Sequence, residues 1–251
     1  MPAHFFLIGK VCNFERKLFQ IQSWNPQGKI ERIRYNYGFK MLNQEVTDFL
    51  KEFDAGTHAV LFYDNQESKR ELLFSHLKFG QNYQGLAYVC SEESPEQIRG
   101  EMIEFGLEAN TVKGNQRLTI ANYDDVYIVN GELNIPAIIG KFASLVDTCK
   151  ERGLSGLRAA AEMSCFFQHN KVEEMIAYEK ALHTKFSFYA KGICAYNVME
   201  MLRSGHMDVF MSLVKAHDPI IYATPRGFLL LKPQKVKPRD FESVMQVNIR
   251  N

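Results

Sequence analysis

The sequence predicts an α/β fold: a mostly parallel sheet with helices on both faces and a β-hairpin at its C-terminal end. Three observations point there. Strand-like and helix-like segments alternate from residue 58 to about 216, and such alternation builds parallel sheets through right-handed crossovers. After that alternation, "PIIYATPRGFLLLK" reads as two strands around a turn at Thr224-Pro225-Arg226-Gly227. Pro and Gly there suit positions i+1 and i+3 of a type I turn. Finally, 251 residues at 46% hydrophobic and 24% charged describe an ordinary globular protein of one large domain, or one domain with an appendage.

The first 40 residues stand apart. "FFLIGKVCNF" and "KLFQIQSW" look like short strands, and "NPQG" looks like a turn. This segment is either a small β-rich appendage or an upstream extension of a chain whose core starts at Met41. It holds seven Lys/Arg against two Glu, whereas residues 41–251 hold 23 Lys/Arg against 27 Asp/Glu. The main domain, 41–232, is thus mildly acidic, which argues against direct nucleic-acid binding by it. Residues 233–251 form a basic tail containing "KPQKVKPRD".

From Met41 the elements follow in order. "NQEVTDFLKEF" is a three-turn helix closed by "DAG". "HAVLFY" is a buried strand that runs through Asp64-Asn65-Gln66-Glu67-Ser68 into an amphipathic helix with Leu73 and Leu77 on one side. "GLAYVCS" is the second strand. In "SPEQIRGEMIEFG", Ser94 is an N-cap, Pro95 sits at the first helical position and Gln97 completes a capping box. Gly106 suits the left-handed turn at its end. "RLTIAN" is a third strand and "NIPAIIGKFASLVDTCKERG" a helix. "GLRAAAEMS" is a fourth strand, "KVEEMIAYEKALHTKF" a helix and "GICAYNV" a fifth strand, followed by two short helices around Gly205.

No apolar run reaches the roughly 18 residues of a membrane span, and "MPAHFFLIGK" lacks a secretory signal, so the expected address is cytoplasmic. Five scattered cysteines without a C-x-x-C pair argue against a zinc ribbon or a disulfide framework.

Ligands of open α/β sheets bind outside the carboxyl ends of the strands, so the candidates are sought there. A strand, turn and helix at 58–80 is how many nucleoside triphosphate sites begin, but this turn has no glycine, and Lys69 and Arg70 lie inside the helix. Phosphate binding is not expected. Asp64 and Asn65 read as caps for that helix, beside Tyr63. Glu92 and Glu93 end the second strand, either as a ligand-facing pair or as solvated cap charges. Arg158 and Glu162 share one face of the fourth strand, and Ala159 and Ala161 the other. Alanines leave room, which favours a pocket over a purely internal Arg–Glu pair. A buried Glu162 needs a partner in either case. Glu179 and His183 fall on a core-facing helical stripe, paired with each other or with Glu179 reaching a group such as Arg158. Cys194 and Tyr196 share a face of the fifth strand, and His217 and Asp218 precede the next one. No spacing supports a Cys–His nucleophile. Glu162, Cys165 and His169 would offer metal donors only if helical, and neither a metal nor any cofactor is expected.

Several of these residues carry a resemblance. "YVCSEESPEQIRGEMIEFG" resembles the strand with paired glutamates that follows the Walker A helix in KaiC-type, RecA-fold ATPases. Without a Walker A motif, the chain is more similar to the MEDS family of DcmR-type sensory domains, over roughly residues 45–224. Its "H-x-x-x-x-Y" is matched by His58 and Tyr63, its "R-x-x-x-E-M" by Arg158, Glu162 and Met163, its "Y-E" by Tyr178 and Glu179, and its "C-x-Y" by Cys194 and Tyr196. The resemblance implies a RecA/KaiC-like fold and a non-enzymatic sensor of a small organic ligand, such as a hydrocarbon derivative. Tyr63, Glu93, Arg158, Glu162, Glu179, Cys194 and Tyr196 would line or support the ligand site. The chain shows no helix-turn-helix and no kinase motif, so output would pass through a protein partner such as a regulator or kinase. Homo-oligomerisation stays open. The alternative is a KaiC-type nucleotide-binding protein or weak ATPase, with Glu92 and Glu93 activating water and Lys69 or Arg70 on phosphate.

Overall fold

The computed structural model describes residues 20–24, 30–34, 42–108, 117–185, 189–217, 219–224 and 227–231. Strands β1 (Gln20–Trp24) and β2 (Ile30–Arg34) pair antiparallel, with Trp24 opposite Ile30, in a unit of their own that ends at Phe39. The strand expected in "KLFQIQSW" is there, and its partner "IERIR", which lacks period-two alternation, was not expected. "FFLIGKVCNF", "NPQG", Pro225-Arg226 and the basic tail lie outside the described residues.

The second unit begins at Lys40. Its strands are β3 (His58–Tyr63), β4 (Gly85–Cys90), β5 (Leu118–Asn122), β8 (Leu157–Glu162), β9 (Ala190–Asn197), β10 (Ile220–Thr224) and β11 (Gly227–Leu231). They form one sheet in the order β11-β10-β3-β9-β8-β4-β5. Every pairing is parallel except β10 with β11. This is the expected mostly parallel sheet with a closing C-terminal hairpin.

The helices are α1 (Gln44–Glu52), α2 (Gln66–Lys78), α3 (Pro95–Phe105), α4 (Tyr123–Val126), α5 (Ile135–Glu151), α6 (Ser164–Gln168), α7 (Val172–Lys185), α8 (Val198–Arg203) and α9 (Met207–Ala216). Strand order decides which face each helix covers. Crossovers are right-handed, so those running toward the β5 edge and those returning from it lie on opposite faces. Accordingly α1, α2 and α3 pack with Leu61, Tyr88 and Ala160 in one core. Helices α5 to α9 pack with Val60, Phe62, Ala161 and Tyr196 in the other. The sheet between them is sealed: β3, β4 and β8 are buried at every position.

Local signals set the helix starts. Asn43 accepts the Val46 amide, Asn65 the Ser68 amide and Asn134 the Ala137 amide. Ser94 and Gln97 form the reciprocal capping box, and Gly106 ends α3 at φ 95°. Three features escaped the sequence reading. Helix α4 is a single turn, α6 is a short helix directly after β8, and β6 (Ile128–Val129) pairs with β7 (Glu132–Leu133) around Asn130-Gly131. Both turn residues have positive φ, the requirement of a type I′ hairpin. No helix among the described residues is long and apolar enough to cross a membrane.

Candidate functional site

The predicted site residues fall into three places rather than one. Tyr63, Glu93 and Glu162 gather at the carboxyl ends of β3, β4 and β8. Arg158 sits at the other end of β8. Glu179, Cys194 and Tyr196 lie on the opposite face of the sheet.

At the carboxyl ends the organising group is Lys69, the fourth residue of α2, which is fully buried. Its Nζ lies 2.6 Å from Glu162 Oε1, 2.9 Å from Glu92 Oε2 and 3.7 Å from Glu93 Oε2. Each carboxylate is satisfied further. Tyr88 Oη donates to Glu162 Oε1 at 2.7 Å, and the amides of Ser91 and Glu92 donate to its Oε2 at 2.8 and 2.9 Å. Glu92 accepts from Tyr63 Oη (2.6 Å), Gln66 Nε2 (2.6 Å), Ser164 Oγ (2.5 Å) and Asn197 Nδ2 (3.2 Å). Glu93 pairs with Arg70, whose Nε lies 2.7 Å from Glu101 Oε2.

Burial alone would lower the Lys69 pKa, but Glu162 and Glu92 outweigh it and hold the ammonium above its ordinary value. Burial would likewise raise the Glu92 pKa, yet Lys69 and the Gln66, Ser164 and Tyr63 donors bring it to about 2. Burial, then Glu92 and Glu162, push the Tyr63 phenol well above its ordinary pKa. At Glu92 and Glu162 this ionic cluster is filled by protein donors. Glu162 was expected to face a ligand, and instead protein donors saturate both of its oxygens.

Arg158 was expected to point into the same space as Glu162. Four residues along a strand separate them by roughly 13 Å, and Arg158 turns to a different set of partners. Its Nε donates to Gln84 Oε1 at 2.6 Å, and Nη1 donates to the carbonyls of Leu50 (2.9 Å) and His76 (3.1 Å). It ties the ends of α1 and α2 to β8. Burial lowers its pKa, and burial plus the guanidinium hold His76 well below the usual histidine range. Gly80 fits flush against it: an added Cβ would sit 2.6 Å from Arg158 Cδ. Arg158 is therefore not a partner of Glu179 either.

The opposite face carries the second polar cluster. Glu179, on α7 and 2% exposed, has His217 Nε2 at 3.2 Å and His58 Nδ1 at 3.6 Å from its Oε2. Tyr196 Oη donates to its Oε1. Cys194 Sγ lies 3.0 Å from His58 Nε2, and His217 Nδ1 meets the Leu213 carbonyl at 2.8 Å. Burial would raise the Glu179 pKa, but His58, His217 and the Tyr196 hydroxyl bring it to about 2. Burial, then Glu179, push the Cys194 thiol well up. Cys194 thus adjoins His58. The side chain of His183 and all of Asp218 lie outside what the structure describes.

Beside this cluster lies a cavity. Ala159, Ala161 and Gly192 form its sheet wall, and Phe142 and Val146 of α5 with Tyr178 and Leu182 of α7 form the helical wall. His58 and Cys194 line one side. The space open to the centre of a water-sized sphere is about 30 Å³, more than the ~10–15 Å³ one water needs. Alanines leave room as expected, but on the Ala159/Ala161 face, away from Arg158 and Glu162. Nor is the space at the carboxyl ends: His58 opens β3, and Gly192 and His58 are paired across β3 and β9.

Three donor atoms, one each from His58, Glu179 and Cys194, lie within 4.8 Å of one another. The other metal set considered does not converge. Glu162 binds Lys69, Cys165 is buried in the core and His169 Nε2 meets Tyr123 Oη at 3.0 Å. Sequence reasoning missed Lys69 as the partner of Glu162, and it missed His217 on Glu179. The signal for Lys69 was the demand for a buried counter-ion, which names a charge but no address.

One solved structure, a protein of Pyrococcus horikoshii OT3 known from a structural study, superposes with a TM-score of 0.51 at 12% identity. The match covers 77% of this chain and 94% of that one, and at this identity it shows a shared fold alone. No curated protein matches the sequence. A family model does: the methanogen/methylotroph, DcmR sensory domain matches residues 57–217, which take in the whole run from β3 to the end of α9. The chain belongs to the MEDS family of sensory domains.

Proposed function

We propose that the protein is a non-catalytic cytoplasmic sensor, and that a small, largely apolar organic molecule with one polar end fills the cavity between the sheet and helices α5 and α7. The observation that carries this reading is the cavity itself, an apolar space in which the centre of a water-sized sphere can range over about 30 Å³, with His58 and Cys194 at one side. Small-molecule sites combine apolar walls with a few placed polar groups, and a hydrocarbon derivative has that character. Occupancy would bias α5 and α7 against the sheet, and a protein partner such as a regulator or kinase would read the shift.

A nucleotide reading draws on one fact. Residues 63–70, Tyr-Asp-Asn-Gln-Glu-Ser-Lys-Arg, lie in the register of G-x-x-x-x-G-K-[ST], with Lys69 at the lysine position. Tyr63 and Ser68 stand where that motif has glycines and Arg70 where it has Ser or Thr. Lys69 is held by Glu92 and Glu162, so we take the site as a former phosphate loop whose cation now serves the core.

A thermal-shift panel of short alcohols, aldehydes, amines, halocarbons and nucleotides tests the reading. A molecule present at 100 times its dissociation constant adds about 2.7 kcal/mol. The expected outcome is a rise in melting temperature with a small organic compound, lost in Ala159→Leu, which fills the cavity. A response that survives Ala159→Leu would place the ligand elsewhere.

A further inference from the structure

We infer that His58, Glu179 and Cys194 form a binding site for one zinc-type divalent cation at the polar side of this cavity. The inference deepens the sensor reading and rests on it only for the cavity.

The donor set is the first argument. An imidazole, a thiol and a carboxylate come from three different elements, β3, β9 and α7 in that order, and their donor atoms lie within 4.8 Å of one another. None of the three residues is more than 5% exposed. Thiolate and imidazole together suit zinc and its first-row neighbours, whereas calcium and magnesium take oxygen shells.

Charge is the second. A dication bound by one thiolate and one carboxylate is neutral overall, and a buried site of zero net charge avoids the cost of an uncompensated ion. Binding forms an S–metal bond at Cys194 and releases the thiol proton to solvent.

The third is the shell behind the donors. Tyr196 Oη donates to Glu179 Oε1, holding the other oxygen toward His58. His217 Nδ1 meets the Leu213 carbonyl at 2.8 Å and presents Nε2 3.2 Å from Glu179 Oε2. Imidazoles at metal sites are oriented by such backbone contacts, and His217 supports Glu179 from behind. His58 and Cys194 line the cavity. A three-residue site therefore keeps a coordination position toward it, where the oxygen, nitrogen or sulfur of a small molecule replaces water.

The test uses the full chain, freed of metal by a chelator and titrated anaerobically with Co²⁺ and then Zn²⁺. The expected result is saturation at one equivalent, with a thiolate-to-cobalt charge-transfer band that Zn²⁺ displaces. Cys194→Ser abolishes the band, and Tyr196→Phe weakens affinity about 10-fold, as loss of a supporting contact does. Absence of a band, or a band retained in Cys194→Ser, overturns the inference. X-ray absorption of the zinc-loaded wild-type chain needs no variant. One sulfur at about 2.3 Å with nitrogen and oxygen at about 2.0–2.1 Å supports the site, and no sulfur or more than one overturns it. Metal uptake without any response to small molecules would leave this site standing and remove the sensor reading. A ligand response with no metal uptake would do the reverse.

Discussion

The ammonium of Lys69, one turn into α2, lies 2.6 Å from Glu162 Oε1 at the end of β8, and neither side chain is exposed. Removing a buried cation strands its carboxylates, at a cost of about 3–5 kcal/mol. Lys69→Met should cost about that much, measured by urea unfolding. Glu162→Gln leaves Glu92 on Lys69 and keeps a polar group of the same shape, so it should cost about 1–3 kcal/mol. The two changes touch, so the double variant should fall short of their sum. Additive costs would show that the pair does not interact.

The same cluster sets a pH dependence. Glu92 is at about 2 in the folded protein against an ordinary 4.5, so its contribution is complete above pH 4.5 and lost as pH falls toward 2. In that window the unfolded chain binds the extra proton, and stability must rise with pH. Unfolding free energy measured from pH 5 to 2.5 should therefore drop steadily, with a flatter slope in Glu92→Gln. A variant with the wild-type slope would assign the loss to other groups.

Gly156 connects α5 to β8 with φ at 131°, and an added Cβ would come 2.4 Å from the Tyr189 carbonyl oxygen. Gly153, a turn earlier, has φ at 69° and open space around it. Gly156→Ala should then destabilise more than Gly153→Ala, because it adds a collision with backbone to the cost of about 1–3 kcal/mol for a disfavoured conformation. Chemical denaturation of both variants decides, and equal losses would mean that the Tyr189 segment moves aside freely.

Nucleotide binding gives the last prediction. With Lys69 committed to Glu92 and Glu162 and no glycine from Asp64 to Ser68, the turn offers no nest of amides to phosphate. Calorimetry should detect no magnesium-dependent ATP binding at micromolar concentrations. A clear micromolar isotherm would favour the KaiC-type reading.

Much of this molecule was legible in the chain because the signals are local. Ser94, Pro95, Gln97 and Gly106 bracket α3 within thirteen residues, and Asn65 caps α2 three positions from the amide it accepts. The apolar runs of β3 and β4 and the alternation of strand with helix likewise fix a mostly parallel sheet. What the tertiary structure decided is which distant groups meet. Lys69 and Glu162 are 93 positions apart, and His58 and Cys194 are 136 apart. A sequence states that a buried carboxylate needs a cation, but only the packing of α2 onto β8 says which one. Strand parity separated Ala159 and Ala161 from Arg158 and Glu162. The choice of the face with room waited on the helices: α2 fills one side with Lys69, His76 and buried apolar side chains, while α5 and α7 stand off the alanines on the other.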